Sequence, residues 1–415
     1  MRNLKRDWLL CYSKNISEIS IGEQQMKIIF CRWNSICEVG ITTALERLGH
    51  EIIPLDRRFT SVDYDKEYLL ALSQVILTNP DADLVFSVNF MPIIARVCDS
   101  LHKLYYSWIV DSPCFQLYSE TLRFQTNRVF LFDHAQYLKF SGQNPACIFY
   151  FPLGCDMPLY ETITVNDKDH AMFDCDVSFV GSLYSEKCIY NNIEKDLPDY
   201  IRGYAEGLIH AQMQVYGYNF LEDVITEDFA RAFKQYADWL PLQADYEEDL
   251  VGIVADTYIG QKCTEQERIK TFQAIGSHFS LDLWTQSDTS MLPMVHVRGA
   301  ADSRTMMPKI IKCSKINLNL TNRPIKTGLP LRIFDILGCG GFLISNYQAE
   351  IPQYFVPDQD LVLYESVDDL LSKIAYYLKH DEERDKIAQS GYQKVKEHYS
   401  YEKRLQKMFA EYPPC

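Results

Sequence analysis

From Met26 onward the chain alternates short apolar runs with longer amphipathic stretches. This alternation constrains the fold more than any single residue does, because strands joined through helices run parallel and need helices on both faces of the sheet. KIIFC (27–31), EIIPL (51–55), DLVFSV (83–88), LYYSWIV (104–110), RVFLF (128–132) and CIFYFPL (147–153) read as strands, with helices between them over 38–48, 66–77, 93–101 and 135–140. A second set follows: DVSFVGS from Asp176, SLDLWT (280–285), VHVRG (295–299), INLNLT (316–321), GFLIS (341–345) and LVLYE (361–365). At 415 residues the chain is too long for one ordinary core. The pattern therefore predicts an α/β protein of two Rossmann-like, doubly wound domains.

Composition marks the boundaries. Residues 1–25 precede the first strand as a preamble, 26–155 make the first domain, 156–175 (with ETITVNDKDH) are polar and aperiodic and read as a linker, and 176–400 make the second domain. Between 186 and about 277 strand signals give way to helical spacing, which predicts a helical insertion in the second domain, and 401–415 read as a terminal helix. The aromatic spacing of YIRGYAEGLIHAQMQVYGYNF suits a core face of that insertion. QADYEEDL suits a solvated face rather than a calcium cage, which needs a fuller oxygen shell.

A formal net charge of −15 argues against nucleic acid as the main ligand. Thirteen cysteines without a C-x-x-C pair fit free thiols in a reducing compartment, so a cytoplasmic location is expected. The apolar run in MRNLKRDWLLCY is shorter than a signal-peptide core. No run approaches the roughly 20 residues that span a bilayer, which leaves peripheral contact as the expected limit of membrane association. The DCD at 174–176 precedes its strand instead of following it, so no metal site is expected.

In open parallel sheets, ligands bind beyond the carboxyl ends of the strands. In the second domain those positions hold Gly181 and Ser182 after DVSFV, Arg298 after VHV, and Asn322, Lys326, Gly328 and Leu329 after INLNLT. The last of these loops runs into GLPLRIFDILGCGGFLIS (328–345), where Pro330 opens a short helix and Gly340 and Gly341 turn the chain into a buried strand. Arg332 stands in the first turn of that helix, where a cation opposes the dipole, and an anion at the helix N-terminus removes the conflict. Together with Lys326 it suits a diphosphate, while Asp335, a turn further on, is placed to accept ribose hydroxyls. The same spacing also allows Arg332 and Asp335 simply to pair at i,i+3, a contribution of about 0.2–0.5 kcal/mol.

GLPLRIFDILGCGGFLIS resembles the GLP-x-x-x-x-E-A-x-A-x-G-x-P-V region of GT-B glycosyltransferases that use nucleotide sugars. It is most similar to the branch with a CgeB-like (spore-maturation-type) C-terminal domain, which reads L-R-x-F-E-x-x-A-x-G-G-F. DVSFVGSLYSEK, MPKIIKCSKINLNLT and HYSYEKR resemble further segments of that group in the same order, so the similarity runs from Asp176 to the C-terminus apart from the insertion. The resemblance implies a GT-B fold and metal-independent transfer of a hexose-type sugar from a nucleotide-diphosphate sugar to a hydroxyl acceptor (a protein, a cell-surface glycan or a small molecule). The sugar nucleotide is then a co-substrate and no cofactor is needed. By position, the resemblance puts the donor-binding acid on Asp335, the diphosphate-binding cation on Arg332, and the turn near the phosphates on Gly181 and Ser182. It also implies a terminal helix that crosses back to the first domain. Two departures stand out: Thr327 occupies the place of a second acid, eight residues before Asp335, and Asp335 is one methylene shorter than glutamate.

The first domain is then expected to hold the acceptor. Its strand ends offer Asn34, Asn89, Asp111, Asp133 and His134, and Asp111 or His134 is the candidate base for an inverting transfer. A turn before Ser-Pro and a capping or packing role are the alternative readings of these two residues. Two other functions fit the same fold, a nucleotide-sugar epimerase and a sugar-nucleotide-binding or scaffolding protein without turnover. Unpaired Arg and Lys in a cleft argue against the scaffold.

Overall fold

The computed structural model describes residues 25–237 and 245–414, so the preamble expected over 1–25 lies outside the described residues except for its last position. Six parallel strands, β1 (Lys27–Cys31), β2 (Glu51–Leu55), β3 (Leu84–Val88), β4 (Tyr105–Trp108), β5 (Asn127–Leu131) and β6 (Ile148–Tyr150), form the first sheet in the order β2-β1-β3-β4-β5-β6. The central strands LVFSV and YYSW are buried at every residue, because helices α1 (Glu38–Arg47), α2 (Lys66–Thr78), α3 (Pro92–Ser100) and α4 (His134–Phe140) cover the sheet.

The expected linker is mostly helical, comprising α5 (Met157–Thr162) and α6 (Asp167–Phe173). Its polar residues are caps. The Asp156 carboxylate accepts from the Leu159 amide, and Asn166 and Asp169 form a reciprocal capping box that starts α6. These helices lead into the second parallel sheet of β7 (Cys175–Val180), β8 (Leu281–Trp284), β9 (His296–Val297), β10 (Ser314–Asn319), β11 (Leu343–Asn346) and β12 (Val362–Tyr364), ordered β12-β11-β10-β7-β8-β9.

Between β7 and β8 the chain folds into α7 (Tyr190–Ile193), α8 (Asp199–Gln212), α9 (Leu221–Val224), α10 (Glu227–Lys234), α11 (Leu250–Gly252), a wide-wound segment (Ile253–Gly260) and α12 (Gln261–Gly276). This helical segment, expected from the sequence as an insertion, buries its own core, including Tyr190, Ile209, Phe233 and Tyr258. It also reaches the first domain, where Tyr246 forms an antiparallel bridge with Ser119. The Glu120 amide donates to the Asp245 carbonyl at 2.8 Å, and the Tyr246 hydroxyl to Asp63 at 2.5 Å. Ion pairs Arg96–Asp245 and Arg123–Glu247 flank that bridge.

The second domain is completed by α13 (Met307–Cys313), α14 (Leu331–Gly338), α15 (Ile351–Tyr354), α16 (Val367–Tyr377) and α17 (Asp381–His398). The last helix, α18 (Tyr401–Glu411), packs on α1 of the first domain, and the Tyr106 hydroxyl of β4 donates to the Tyr412 carbonyl at 2.8 Å. One apolar cluster therefore runs through both domains, from Phe30 and Trp108 to Phe334, Leu337 and Leu405. Among the described residues every cysteine is a free thiol, and no helix is long and apolar enough to cross a membrane.

Candidate active site in the interdomain cleft

Strands β7 and β10 are neighbours, but the chain leaves them toward opposite edges of the sheet, which makes their carboxyl ends the switch point where such sheets bind ligands. Helix α12 fixes this point. The buried Arg268 guanidinium donates to the carbonyls of Ser182 and Leu320, bridging the two strand ends, and sits 4.8 Å from the Tyr184 ring centre. Desolvation lowers its pKa. Arg323 forms a buried two-point pair with Glu267, at 2.7 and 2.6 Å, and Thr264 donates to Asn322 at 2.8 Å.

From Asn322 the loop crosses to the first domain. The Asp133 carboxylate, buried after β5, accepts from the Lys326 amide (2.8 Å), the Thr327 amide (3.2 Å), the Thr327 hydroxyl (2.8 Å) and the Ala135 amide (3.1 Å). Thr327, where the resemblance expects an acid, thus touches a carboxylate contributed by the other domain. Gly328 makes the closest approach, since a Cβ there would lie 2.8 Å from the Asp133 Cα. Glu350 accepts from the His134 amide at 2.9 Å and from the Tyr150 hydroxyl, and burial raises its carboxyl pKa.

Beside this crossing lies a cavity of about 240 Å³ whose walls include Ser112, Asp133 and Lys139 of the first domain, Asp256 of the insertion, and Pro324 and Lys326 of the loop. Lys326 Nζ is 2.7 Å from Glu222 and 3.8 Å from Asp256. Lys139 Nζ is 2.9 Å from Glu222 and 2.6 Å from Asp249, which also accepts from Tyr118 at 3.0 Å. Burial pushes the Asp256 carboxyl up to about 7, against the pull of Lys326.

The structure separates the remaining expected site residues. Arg332 and Asp335 pair with each other at 3.2 Å, Arg332 lies against Met307 Sδ, and Asp335 accepts from the Tyr160 hydroxyl at 2.7 Å. Asp335 faces a separate hollow of about 40 Å³ between α5, α13 and α18, and burial raises its pKa. Arg298 donates to Asp282 at 2.7 Å, an acid on β8 that also meets His296, so it is a cross-strand partner at the sheet edge. Asn322 is a buried tie to α12 and Leu329 a core residue. Gly181 and Ser182 stand at the switch point, with the Ser182 hydroxyl donating to Glu186 at 2.6 Å. Asp111 is exposed and accepts from Asn89 at 2.6 Å, while the His134 ring packs on Tyr150 at 5.0 Å, and neither residue lines the cavity. The charged cavity residues passed over in the sequence are Lys139, Glu222 and Asp256. Asp256 does carry a signal, as the one charge in IVADTYIG.

Two parallel Rossmann-like sheets facing across a cleft, with the terminal helix returned to the first domain, define the GT-B glycosyltransferase fold. Within it, residues 263–410, from α12 through α18, match the family described as glycosyl transferase-like. A glycosyltransferase from Rickettsia africae superposes with TM-score 0.54 and 10% identity, over 94% of this chain and 98% of that one. Anabaena Alr3699/HepE, solved in complex with UDP and glucose, gives TM-score 0.52 and 11% identity over 93% and 99% of the two chains. The sucrose-phosphate synthase of Thermosynechococcus elongatus gives 0.50 and 11% over 94% and 98%. No curated protein matches the chain.

Proposed function

We propose that the protein is a CgeB-like glycosyltransferase that moves a hexose-type sugar from a nucleotide-diphosphate donor to a hydroxyl acceptor in the cytoplasm, without a metal. One observation carries this reading. The β10–α14 loop, inside the family-matched segment, forms a wall of the interdomain cavity and holds the Lys326 ammonium there. In this scheme the donor diphosphate lies along Lys326 to Leu329 toward the start of α14, and Lys326 exchanges Glu222 for a phosphate oxygen. The Lys326 ammonium, fixed before reaction, stabilises the charge that develops on the leaving diphosphate. Ser112 and Lys139 face the acceptor, and the Asp133 crossing keeps the two halves aligned. UDP is the first nucleotide to try, because Alr3699/HepE was solved with UDP and with UDP-glucose.

The test is calorimetric titration of UDP, GDP, dTDP and ADP in EDTA. One nucleotide is expected to bind, with Lys326→Ala weakening it by about 1.5–3 kcal/mol, the value of a hydrogen bond to a charged group. Absence of binding by all four at millimolar concentration refutes the reading.

A second reading, sugar-nucleotide binding without turnover, draws on the ion pairs. Arg332–Asp335 and Lys326–Glu222 already satisfy the cations, which removes the argument that unpaired charges demand a substrate. Nucleotide binding with no release of nucleoside diphosphate from any nucleotide sugar would favour it.

A further inference from the structure

The helical segment between β7 and β8 supplies part of the cavity wall and one of the cavity's two side chains with an unbonded buried oxygen, Asp256, the other being Gln136. Asp256 lies within Ile253–Gly260, where the helix winds with the wide i→i+5 turn that recurs at functional sites. The residue is 8% exposed, lines the cavity, and its Oδ1 has no hydrogen-bond partner. A buried carboxyl oxygen left unbonded is costly.

The groups around it explain why no cation satisfies it. The loop offers Lys326, α4 offers Lys139, α9 offers Glu222, and the end of β5 offers Asp133. Both ammoniums sit within 2.9 Å of Glu222, and Lys139 is also shared with Asp249, so Asp256 is left with Lys326 at 3.8 Å. The first domain offers no equivalent base in the cavity. Asp133 is filled by four donors, and Asp111 and His134 lie outside the lining.

Resting on the transferase reading above, we propose that Asp256 is the base that takes the acceptor's proton, so that the helical segment between β7 and β8 of the donor domain supplies the catalytic group. The acceptor oxygen bonds to the anomeric carbon as that carbon's bond to the diphosphate oxygen breaks. The electron pair leaves on the nucleoside diphosphate, and the hydroxyl proton passes to the Asp256 carboxylate and then to solvent. This is a single displacement, so the anomeric configuration inverts. Burial raises the carboxyl well above its ordinary value, toward the range in which general bases act best.

The experiment uses the full chain with UDP-glucose, GDP-mannose, dTDP-glucose and ADP-glucose, and water as acceptor. Nucleoside diphosphate release, nucleotide binding and the first-formed sugar anomer are followed for wild type, Asp256→Asn and Asp256→Glu. Expected are unchanged nucleotide binding and a loss of release of at least about 100-fold in Asp256→Asn. An inverted sugar is expected from wild type, together with an acid limb near pH 7 in kcat/KM that Asp256→Glu displaces. A wild-type rate in Asp256→Asn, a retained anomer, or an acid limb that Asp256→Glu leaves in place overturns the base assignment alone, whereas binding without release by wild type overturns turnover itself and the base assignment with it. Failure of wild type to bind any nucleotide overturns the transferase reading beneath it. Should Asp256→Asn not fold, the anomer and the pH limb of wild type still decide.

Discussion

Removing the Asp133 carboxylate should release the donor loop while leaving both sheets intact. In Asp133→Ala the Lys326 and Thr327 amides and the Thr327 hydroxyl lose one shared acceptor, at 2.8, 3.2 and 2.8 Å. Hydrogen bonds to a charged group contribute about 1.5–3 kcal/mol each and are not additive around one carboxylate, so the loop should lose roughly 3 kcal/mol in all. At 1.4 kcal/mol per tenfold, that is about a hundredfold loss of protection at the two amides. Hydrogen exchange resolved to Lys326 and Thr327 measures it directly, which suits a two-domain protein better than a single melting midpoint. Amides of β3 and β10 serve as the internal reference, since their ladders do not depend on Asp133. If protection at 326 and 327 changes less than about threefold while the sheets stay protected, the crossing is not what holds the loop, and the reasoning fails.

Two further outcomes follow from the same geometry. Gly328→Ala should strain the crossing, because the added Cβ meets the Asp133 Cα at 2.8 Å; a lower unfolding midpoint and weaker nucleotide binding are expected, and an unchanged midpoint would count against the close approach. Asp256→Asn should stabilise the protein in alkali and not in acid. The folded pKa of about 7 lies above the unfolded carboxylate value, so the folded state binds the extra proton between about pH 4 and 7 and stability falls as pH rises through that window. At about 1.4 kcal/mol per pKa unit the ceiling is about 4 kcal/mol at pH 8, read as a higher unfolding midpoint for the variant at pH 8 than for wild type and equal midpoints at pH 4.

The architecture was legible wherever local pattern and tertiary role coincide. LVFSV and INLNLT are continuous apolar or alternating runs because they are central strands, and a run of that kind has few other stable homes. The same reasoning missed α5 and α6, whose Asp156, Asn166 and Asp169 look like linker polarity but spend that polarity on orphan helix amides. The site was read less well. Arg298 follows a strand, as ligand residues do, but its fate depends on Asp282 lying one strand away, a register that no local window contains. Arg332 and Asp335 show the opposite case: their spacing was correctly seen to allow an ion pair, and the pair formed. Asp256 was visible only as an oddity, a lone charge in an apolar helix, and its meaning depends on Lys326, seventy residues away in sequence, folding back over it.

The bridge between Ser119 and Tyr246 makes a second-domain insertion into a clasp on the first domain, and its flanking pairs Arg96–Asp245 and Arg123–Glu247 are partly exposed to solvent. Solvent-facing pairs weaken as salt shortens the reach of charge, which is about 8 Å at physiological ionic strength. Added salt should therefore weaken the clasp from outside, with no ligand in the cavity.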